Sequence, residues 1–285
     1  MNRLLLLTLA ALVLVACKSL PTVGGFDLNK VVDTARDVKQ AVATPEEDEE
    51  RQMGHDVAAT LLGAGKTLDD PAVQQYVNRV GLWVALQGSR PNLPWRFAVL
   101  DNPNVNAFAT PGGYVFITRG LLERMHSEAE LAGALAHEIA HVEKRHHLNA
   151  LKKDARMRLI GRAGSAALSK AGTEAADMER MSAVAGMAKG LYSRGLDKSD
   201  EYEADRVGAM LAARAGYDPY GLAQVLQTLD AVNPEASQFA LLFKTHPKPA
   251  DRLAQLDKAL GARFEALGQR PDVAQRFLAT VKPGV

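Results

Sequence analysis

The chain has 285 residues, of which 47% are hydrophobic and 24% charged, and its formal net charge is +1. This length provides for one large domain or two small ones. The near-neutral charge, with mixed signs along the chain, argues against a broad nucleic-acid-binding surface. Aromatic residues are only 6% of the chain and alanine is abundant, so we expect a mainly helical fold.

The first 16 residues are predicted to be a signal peptide. Arg3 precedes a nearly continuous apolar run, Leu4–Val15, which is too short for a comfortable membrane span and has the length of a signal-peptide core. The run ends in L-V-A-C, which resembles the bacterial lipobox, where the cysteine becomes the lipid-modified first residue of the mature protein. We therefore expect Cys17 to anchor the chain to a membrane without spanning it. The alternative is an ordinary secretory signal with an incidental cysteine.

The residue after the cysteine bears on the destination of the chain. It is Lys18 and not an aspartate. By resemblance to enterobacterial sorting, this favours the periplasmic face of the outer membrane over retention at the inner membrane. Residues 17–43 are expected to be the lipidated cysteine and a tether, because Pro21, Gly24 and Gly25 interrupt regular structure. Cys17 is the only cysteine, so no intramolecular disulfide forms.

Two helices are predicted before any strand. Thr44 at the N-cap, Pro45 at the first helical position and the acidic run after them indicate a helix that ends near Leu62. Asp70 and Pro71 mark the start of a second helix. Its buried face is expected to carry the valines at positions 73, 77, 80 and 84.

The pattern then changes to short strands. Residues 95–100, 106–109 and 114–118 are apolar or alternating, and turns rich in asparagine, proline and glycine separate them. These segments predict a small antiparallel sheet directly before the next helix.

That helix contains the motif H-E-x-x-H, from His137 to His141, in an apolar and alanine-rich run. Ser127 and Glu130 form a capping box that marks its start. Residues four apart share one helix face, so the two imidazoles can bind one metal ion, and Glu138 beside them can act as general base. This is the arrangement of zincins, which leave one metal position open. The alternative, histidines that are merely polar or core residues, would explain one histidine better than the whole motif.

In zincins, a sheet before the metal-binding helix has an edge strand that pairs with extended substrate backbone. We expect Val115, Phe116 and Ile117 to form that edge. Strands that only cover the core would explain the same pattern.

The segment after the motif has two more histidines. His146 and His147 follow His141 by five and six residues, which turns them away from the metal-binding face. We expect a polar cluster around the site and not further ligands. Residues 150–196 are punctuated by glycines and are predicted to form weak helices and a candidate mobile lid. An ordinary flexible insertion fits this pattern equally well.

A catalytic zinc site needs a third protein ligand. Residues 199–205 open a strong predicted helix that ends at Gly216, and the carboxylate of Glu201 on this helix can supply that ligand. Glu203 competes for the role but points about 160° away from Glu201 by helix periodicity. Asp205 lies on the same face as Glu201 and is expected to orient a ligand histidine.

Together these motifs resemble a known family of metallopeptidases. H-E-x-x-H followed by E-x-x-A-D, from Glu201 to Asp205, is similar to the gluzincin family of the CAAX prenyl protease and HtpX. The segment N-A-F from Asn106, ahead of P-G-G, and the segment T-H-P-K-P around His246 match this family too. Within it, the chain is most similar to the soluble periplasmic branch of BepA, LoiP and the mitochondrial Oma-like enzymes.

The resemblance implies a fold and a cofactor. The fold is α+β, a mainly α-helical zincin of the gluzincin type, within residues 44–265, and residues 266–285 form a C-terminal tail. One Zn2+ ion per chain would be bound by His137, His141 and Glu201.

The resemblance also implies catalytic roles. Glu138 would act as general base and then donate a proton to the leaving amine. Asn106 would hold substrate backbone or the oxyanion. His246 would either bind the zinc ion and keep the enzyme latent, or lie near the transition-state oxygen. A surface histidine in a proline-rich turn is the third possibility.

The function expected from these features is that of a zinc-dependent endopeptidase of the periplasm. Its partners would be unfolded or misassembled envelope and outer-membrane proteins, because edge-strand binding recognises backbone more than side chains, together with the membrane that holds Cys17. Nucleic acid is not expected. The alternative is a zinc-stabilised chaperone or assembly factor for outer-membrane proteins, with latent proteolysis. A metal-binding lipoprotein without catalysis is disfavoured, since it would leave Glu138 without a purpose.

Overall fold

The computed structural model describes most of the chain beyond its N-terminal segment. The described residues are 22–23, 26–27, 46–150, 153, 186, 189, 195–233, 235–265 and 270–282. The chain divides into two units, residues 1–44 with 152–167, and residues 45–151 with 168–285. The predicted signal peptide, Cys17 and most of the candidate lid lie outside the described residues.

The described residues of the first unit include a small hairpin. Strand β1 (Thr22–Val23) pairs with strand β2 (Phe26–Asp27) in antiparallel fashion, and Val23 is opposite Phe26. This hairpin lies in the predicted tether, where the sequence analysis expected no strand.

The second unit is mainly helical. It begins with helices α1 (Glu47–Ala64) and α2 (Pro71–Ala85), followed by strands β3 (Arg96–Leu100), β4 (Ala107–Thr110) and β5 (Tyr114–Thr118). The later helices are α3 (Arg119–Leu122), α4 (Glu128–Glu143), α5 (Lys198–Arg214), α6 (Gly221–Asp230), α7 (Ala240–Thr245), α8 (Pro249–Glu265) and α9 (Ala274–Val281). The predicted α+β fold, with a small sheet before the H-E-x-x-H helix, is confirmed. Of the described helices, none is both long and apolar enough to cross a membrane.

The first two helices follow local signals closely. Helix α1 begins two residues later than predicted, with Glu46 at its N-cap, and four acidic residues occupy its first turn, where the helix dipole favours them. Helix α2 begins as predicted, because Asp70 accepts a hydrogen bond of 3.0 Å from the N–H of Val73 and Pro71 is the first helical residue. The four valines of its predicted stripe are buried.

The sheet is mixed, with the strand order β3–β5–β4. Strand β5 pairs in parallel with β3, where Tyr114 is opposite Arg96, and antiparallel with β4, where Ile117 is opposite Ala107. The expectation of a wholly antiparallel sheet is therefore wrong. The turn Pro111–Gly113 makes β4 and β5 neighbours, and its two glycines have positive φ angles of 77° and 101°, which favour glycine. Strands β3 and β4, which are consecutive in the chain, therefore lie at opposite edges of the sheet, and β5 lies between them.

The predicted substrate edge is wrong for the same reason. Val115, Phe116 and Ile117 lie in the central strand, between β3 and β4, where another backbone cannot pair with them. They are exposed by only 1%, 2% and 0%. Such a continuous apolar run is typical of a strand buried on both faces, and this signal was available in the sequence.

Two strands form the edges of the sheet. The outer side of β3 is partly occupied, since the N–H of Leu68 donates to the carbonyl of Val99 at 2.9 Å. Among the described strands, β4 pairs with β5 alone. Strand β4 therefore lies at the other edge of the described sheet.

Helix α4 lies at the centre of the core. Every residue from Glu128 to Val142 is buried, and the helix packs against α2, α5, α6 and β4. The hydroxyl of Ser127 accepts a hydrogen bond of 3.1 Å from the N–H of Glu130, whose carboxylate accepts one of 3.1 Å from the N–H of His126. The predicted N-terminal cap is confirmed, with the reciprocal bond one residue earlier than in the usual capping box.

The C-terminal helix α9 packs onto this core. Phe277 is fully buried in the main hydrophobic cluster. Arg276 donates to the carboxylate of Glu128 through both its Nε atom, at 2.6 Å, and its terminal nitrogen. The folded unit therefore extends beyond residue 265, where the sequence analysis placed the start of a tail.

Glu128 is expected to stabilise the fold in a pH-dependent manner. Its carboxylate also accepts hydrogen bonds from the hydroxyls of Tyr76, at 2.5 Å, and Tyr217, at 2.7 Å. Burial raises the pKa of Glu128, but these bonds and Arg276 outweigh burial, so the pKa lies below its ordinary value of 4.5. Because the pKa of the folded state is lowered, the stabilisation is present above about pH 4.5 and disappears as the pH falls through the folded-state pKa.

The variant Glu128→Gln tests this expectation. Its free energy of unfolding in urea should be about 1–3 kcal/mol lower than that of the wild type near neutral pH, and the difference should shrink at about pH 3. Glu123→Gln, on an exposed carboxylate, is the matched control and should change little. A difference of equal size at both pH values would contradict the assignment.

Candidate metal centre

The site depends on the close crossing of helices α4 and α5. Ala204 is fully buried, and a Cβ atom on Gly208 would lie 2.8 Å from the backbone nitrogen of His137. Small residues at these positions let α5 approach the backbone of α4. The crossing brings Glu201, in the first turn of α5, to the face of α4 that carries the two motif histidines. A role for Gly208 was not predicted, although the small residues at positions 204 and 208 are a visible signal in the sequence.

The three predicted ligands converge on one point. The Nε2 atoms of His137 and His141 are 3.1 Å apart. Each lies 3.6 Å from a carboxylate oxygen of Glu201, His137 from Oε2 and His141 from Oε1. Zinc–ligand bonds of about 2.0–2.1 Å in tetrahedral geometry separate ligand atoms by roughly 3.3 Å. The observed spacing therefore fits a single ion.

The charge states of Glu201 and His141, and an oxygen of Glu201 that no described residue pairs, also fit a bound cation. Oε2 of Glu201 is buried and accepts no hydrogen bond from the residues that the structure describes. Burial raises the pKa of Glu201, but His246 and the two motif histidines lower it far below its usual range, so the carboxylate is charged. Burial lowers the pKa of His141 well below its usual range, which leaves a neutral imidazole, the form that binds metals.

The second ring nitrogen of His137 is held by an ion pair. Its Nδ1 atom lies 2.9 Å from Oδ1 of Asp205, and Asp205 accepts hydrogen bonds of 3.0 and 2.5 Å from Arg252. Burial and Arg252 lower the pKa of His137, but Asp205 and Glu201 outweigh them and raise it to about 9, so a metal ion would bind His137 with release of the proton from its Nε2 atom. These contacts fix the orientation of the ring. Asp205 thus lies where the sequence analysis placed it, whereas the part played by Arg252 was not foreseen.

His141 has a different partner. Its Nδ1 atom is 2.9 Å from Nδ1 of His146, which is only 3% exposed. The Nε2 atom of His146 lies 3.4 Å from Glu203, and Glu203 forms an ion pair of 3.1 Å with Lys144. His146 therefore supports a ligand from outside the metal centre, as predicted, and Glu203, which was weighed as a competing ligand, contacts His146 instead.

A small cleft adjoins two of the three ligands, His141 and Glu201. Its walls include Asn106, Glu138 and His246, the three candidate catalytic residues, and also His147. Burial raises the pKa of Glu138 to about 7, and a group with a pKa near the working pH can both accept and release a proton. Burial also lowers the pKa of His147 to about 4.

Asn106 is held at the cleft by Thr118. The backbone N–H of Asn106 donates to the Thr118 hydroxyl at 2.9 Å, and its carbonyl accepts from that hydroxyl at 2.9 Å and from the Thr118 N–H at 3.0 Å. Oδ1 of Asn106 is buried, and no described residue donates a hydrogen bond to it. This oxygen is therefore available to a bound molecule. The sequence carried no signal for the role of Thr118.

His246 lies directly after helix α7 and faces the ligands. Its Nε2 atom is 3.9 Å from Oε2 of Glu201, and its side chain is only 13% exposed. His137, Glu201 and His246 offer ligand atoms that all lie within 4.8 Å of one another. The hydroxyl of Thr245 lies 2.9 Å from Nδ1 of His246. The alternative of a surface histidine in a proline-rich turn is therefore wrong.

Comparison with known proteins agrees with this geometry. Residues 71–260 match Peptidase family M48. The chain is 32% identical to the beta-barrel assembly-enhancing protease of Shigella flexneri over 230 residues, which are 80% of this chain and 46% of that protein. It is 28% identical to the mitochondrial metalloendopeptidase OMA1 of Schizosaccharomyces pombe over 189 residues, 65% of this chain and 52% of that protein. The chain thus spans about half the length of these two relatives.

Proposed function

Since the chain belongs to Peptidase family M48, we propose that it is a zinc-dependent endopeptidase that cleaves extended polypeptide segments. One observation supports this proposal above all others. His137, His141 and Glu201 converge within 3.1–3.6 Å of one another, and Glu138 lines the open cleft beside them. Two imidazoles and a carboxylate suit zinc.

Peptide hydrolysis requires two proton transfers, and Glu138 can perform both. A zinc ion held by these ligands supplies Lewis-acid activation of water at neutral pH. Glu138 accepts the proton of the attacking water and passes it to the leaving amine. Asn106 holds the substrate backbone through its side-chain oxygen, which no described residue pairs, and Thr118 positions Asn106.

We propose that substrate pairs with β4, the edge strand, and not with β5. Ala107 and Phe108 of β4 line the cleft, and they directly follow Asn106. Pairing with a strand edge recognises the main chain more than the side chains. An unfolded or misassembled protein supplies such extended segments, whereas a folded one does not.

The proposed location is the periplasmic face of the outer membrane, with the chain anchored through Cys17. The apolar run before L-V-A-C and the lysine after it support this location, and incorporation of labelled fatty acid that is lost in Cys17→Ala would test it. The name of the Shigella relative, a beta-barrel assembly-enhancing protease, suggests outer-membrane proteins as the substrate class. The same name favours a second candidate function, that of a zinc-stabilised assembly factor with latent proteolysis.

Metal removal tests the proposed activity. The full chain should hydrolyse unfolded casein while it contains about one zinc ion. Chelation followed by dialysis should lower the rate by at least about 100-fold, and added zinc should restore it, because water activation and charge stabilisation both depend on the ion. Folded, disulfide-bonded ribonuclease should be cleaved far more slowly under the same conditions. Hydrolysis that survives removal of the metal would contradict the proposal.

We also propose that His246 holds the enzyme in a latent state. Its Nε2 atom is close enough to the ligand cluster to compete for the open metal position. If His246 leaves the metal position free in only about a tenth of the molecules, His246→Ala should raise the rate of casein hydrolysis about tenfold. Initial rates at equal zinc content measure this change. His126→Ala, directly before the N-cap of α4 and at the opposite end of that helix from the motif, is the matched control. A loss of activity in His246→Ala would assign His246 to oxyanion stabilisation instead.

A further inference from the structure

His147 is the residue of the cleft that the metal-binding geometry leaves without a role. It belongs to the walls of the cleft, and its ring centroid lies 5.5 Å from that of His141. Its Nε2 atom is buried and has no hydrogen-bond partner among the residues that the structure describes. A buried polar atom of this kind needs a partner.

His147 is neither a ligand nor a support for one. The ligand atoms of His137, His141 and Glu201 converge within 3.1–3.6 Å of one another, whereas Nε2 of His147 forms no hydrogen bond to any described residue. The second nitrogen of His141 is already 2.9 Å from His146. The two roles open to a histidine at a metal centre are thus filled by other residues.

Oδ1 of Asn106, at the same cleft, is also a buried polar atom without a hydrogen-bond partner among the described residues. Asn106 lies directly before β4 and His147 lies after the end of α4, so residues from two different parts of the chain bring these atoms to one cleft. The main chain of a polypeptide carries one donor and one acceptor on nearly every residue. An extended segment along β4 can therefore provide a partner to both atoms.

We propose that Nε2 of His147 hydrogen-bonds the main chain of the bound polypeptide beside the scissile bond. This role deepens the proposed function and rests on it. His147 and Asn106 would then hold the peptide from two sides while Glu138 acts on the water. The bond would form in the bound state as well as in the transition state, so it would affect binding more than turnover.

Binding to an inactive form of the full chain tests this role. The background is Glu138→Gln with its zinc, and the probe is fluorescein-labelled, unfolded casein observed by fluorescence anisotropy. Adding His147→Ala should weaken binding about tenfold, whereas His147→Gln, which keeps an N–H donor, should restore most of the affinity. His126→Ala is the control and should leave binding unchanged. Zinc content and the thermal midpoint should be the same in all variants.

The kinetics of the active enzyme give an independent reading. His147→Ala alone should raise KM about tenfold with kcat nearly unchanged, as expected for an interaction made equally in both states. Unchanged affinity in His147→Ala, loss of zinc from it, or a fall in kcat at constant KM would each overturn the role. Failure of Glu138→Gln itself to bind casein would overturn it too.

These outcomes separate the role of His147 from the proposed function. A chain that binds casein through His147 but never cleaves it would refute the peptidase activity and leave the binding role intact. A chain that cleaves casein equally well with alanine at position 147 would refute the binding role alone.

Discussion

Glu138→Gln should lower kcat for unfolded casein by about 10²–10⁴-fold and leave the zinc content unchanged. The carboxylate of Glu138 lines the cleft and takes no part in the convergence of ligand atoms. Glutamine has nearly the same shape but cannot accept a proton. The measurement combines single-turnover kinetics with the zinc content of the purified variant.

Two comparisons sharpen the test of Glu138. Glu123→Gln makes the same chemical change on an exposed carboxylate, and should leave kcat unchanged. Casein hydrolysis retained by Glu138→Gln would remove the enzymatic hypothesis as stated. If the inactive variant still restores outer-membrane assembly in a deletion strain, the assembly-factor function becomes the better description.

Glu201→Ala should weaken zinc binding by more than about 100-fold. This exceeds the loss of about 10–100-fold that is typical when a residue that only hydrogen-bonds a metal ligand is removed. The buried carboxylate supplies the one negative charge among the three ligands, and its two oxygens face both imidazoles at 3.6 Å. Casein hydrolysis at limiting zinc should fall to background. Competition with a coloured chelator measures the affinity directly.

The neighbouring carboxylate provides the control for Glu201. Glu203 lies two residues further along the same helix and contacts Lys144 and His146, outside the metal centre. Glu203→Ala should therefore weaken zinc binding by about tenfold or less. Equal losses in the two variants would show that Glu201 is not a direct ligand. Because alanine at position 201 leaves a gap, Glu201→Gln serves as a variant of matched size.

Local patterns predicted the helices and the metal-binding motif well. The caps at Asp70 and Ser127 act within three or four residues, so they can be recognised without knowledge of distant contacts. His137 and His141 share a face because helix geometry alone brings residues four apart together. The start of α1 was missed by two residues, since its acidic run offers several nearly equivalent first turns.

Arrangements that join distant segments were predicted less well. The strands were identified, but their order was not, because a parallel pair between β3 and β5 depends on how the intervening chain crosses over. Phe277 becomes a core residue because it packs against residues far away in the sequence, such as Tyr76. Thr118, Gly208 and His147 likewise gain their roles from neighbours on other elements.

The sequence by itself determined which side chains are available for chemistry: two histidines and a glutamate on one helix, and a second glutamate at the start of another. It did so because such signals act over one or two helical turns. Only the tertiary structure decided that Glu201 reaches both imidazoles, and that β4 and not β5 is an edge strand of the described sheet. It also decided that His147 borders the cleft with a nitrogen that no described residue pairs. These features depend on packing between elements that are separated by tens of residues, which no local pattern encodes.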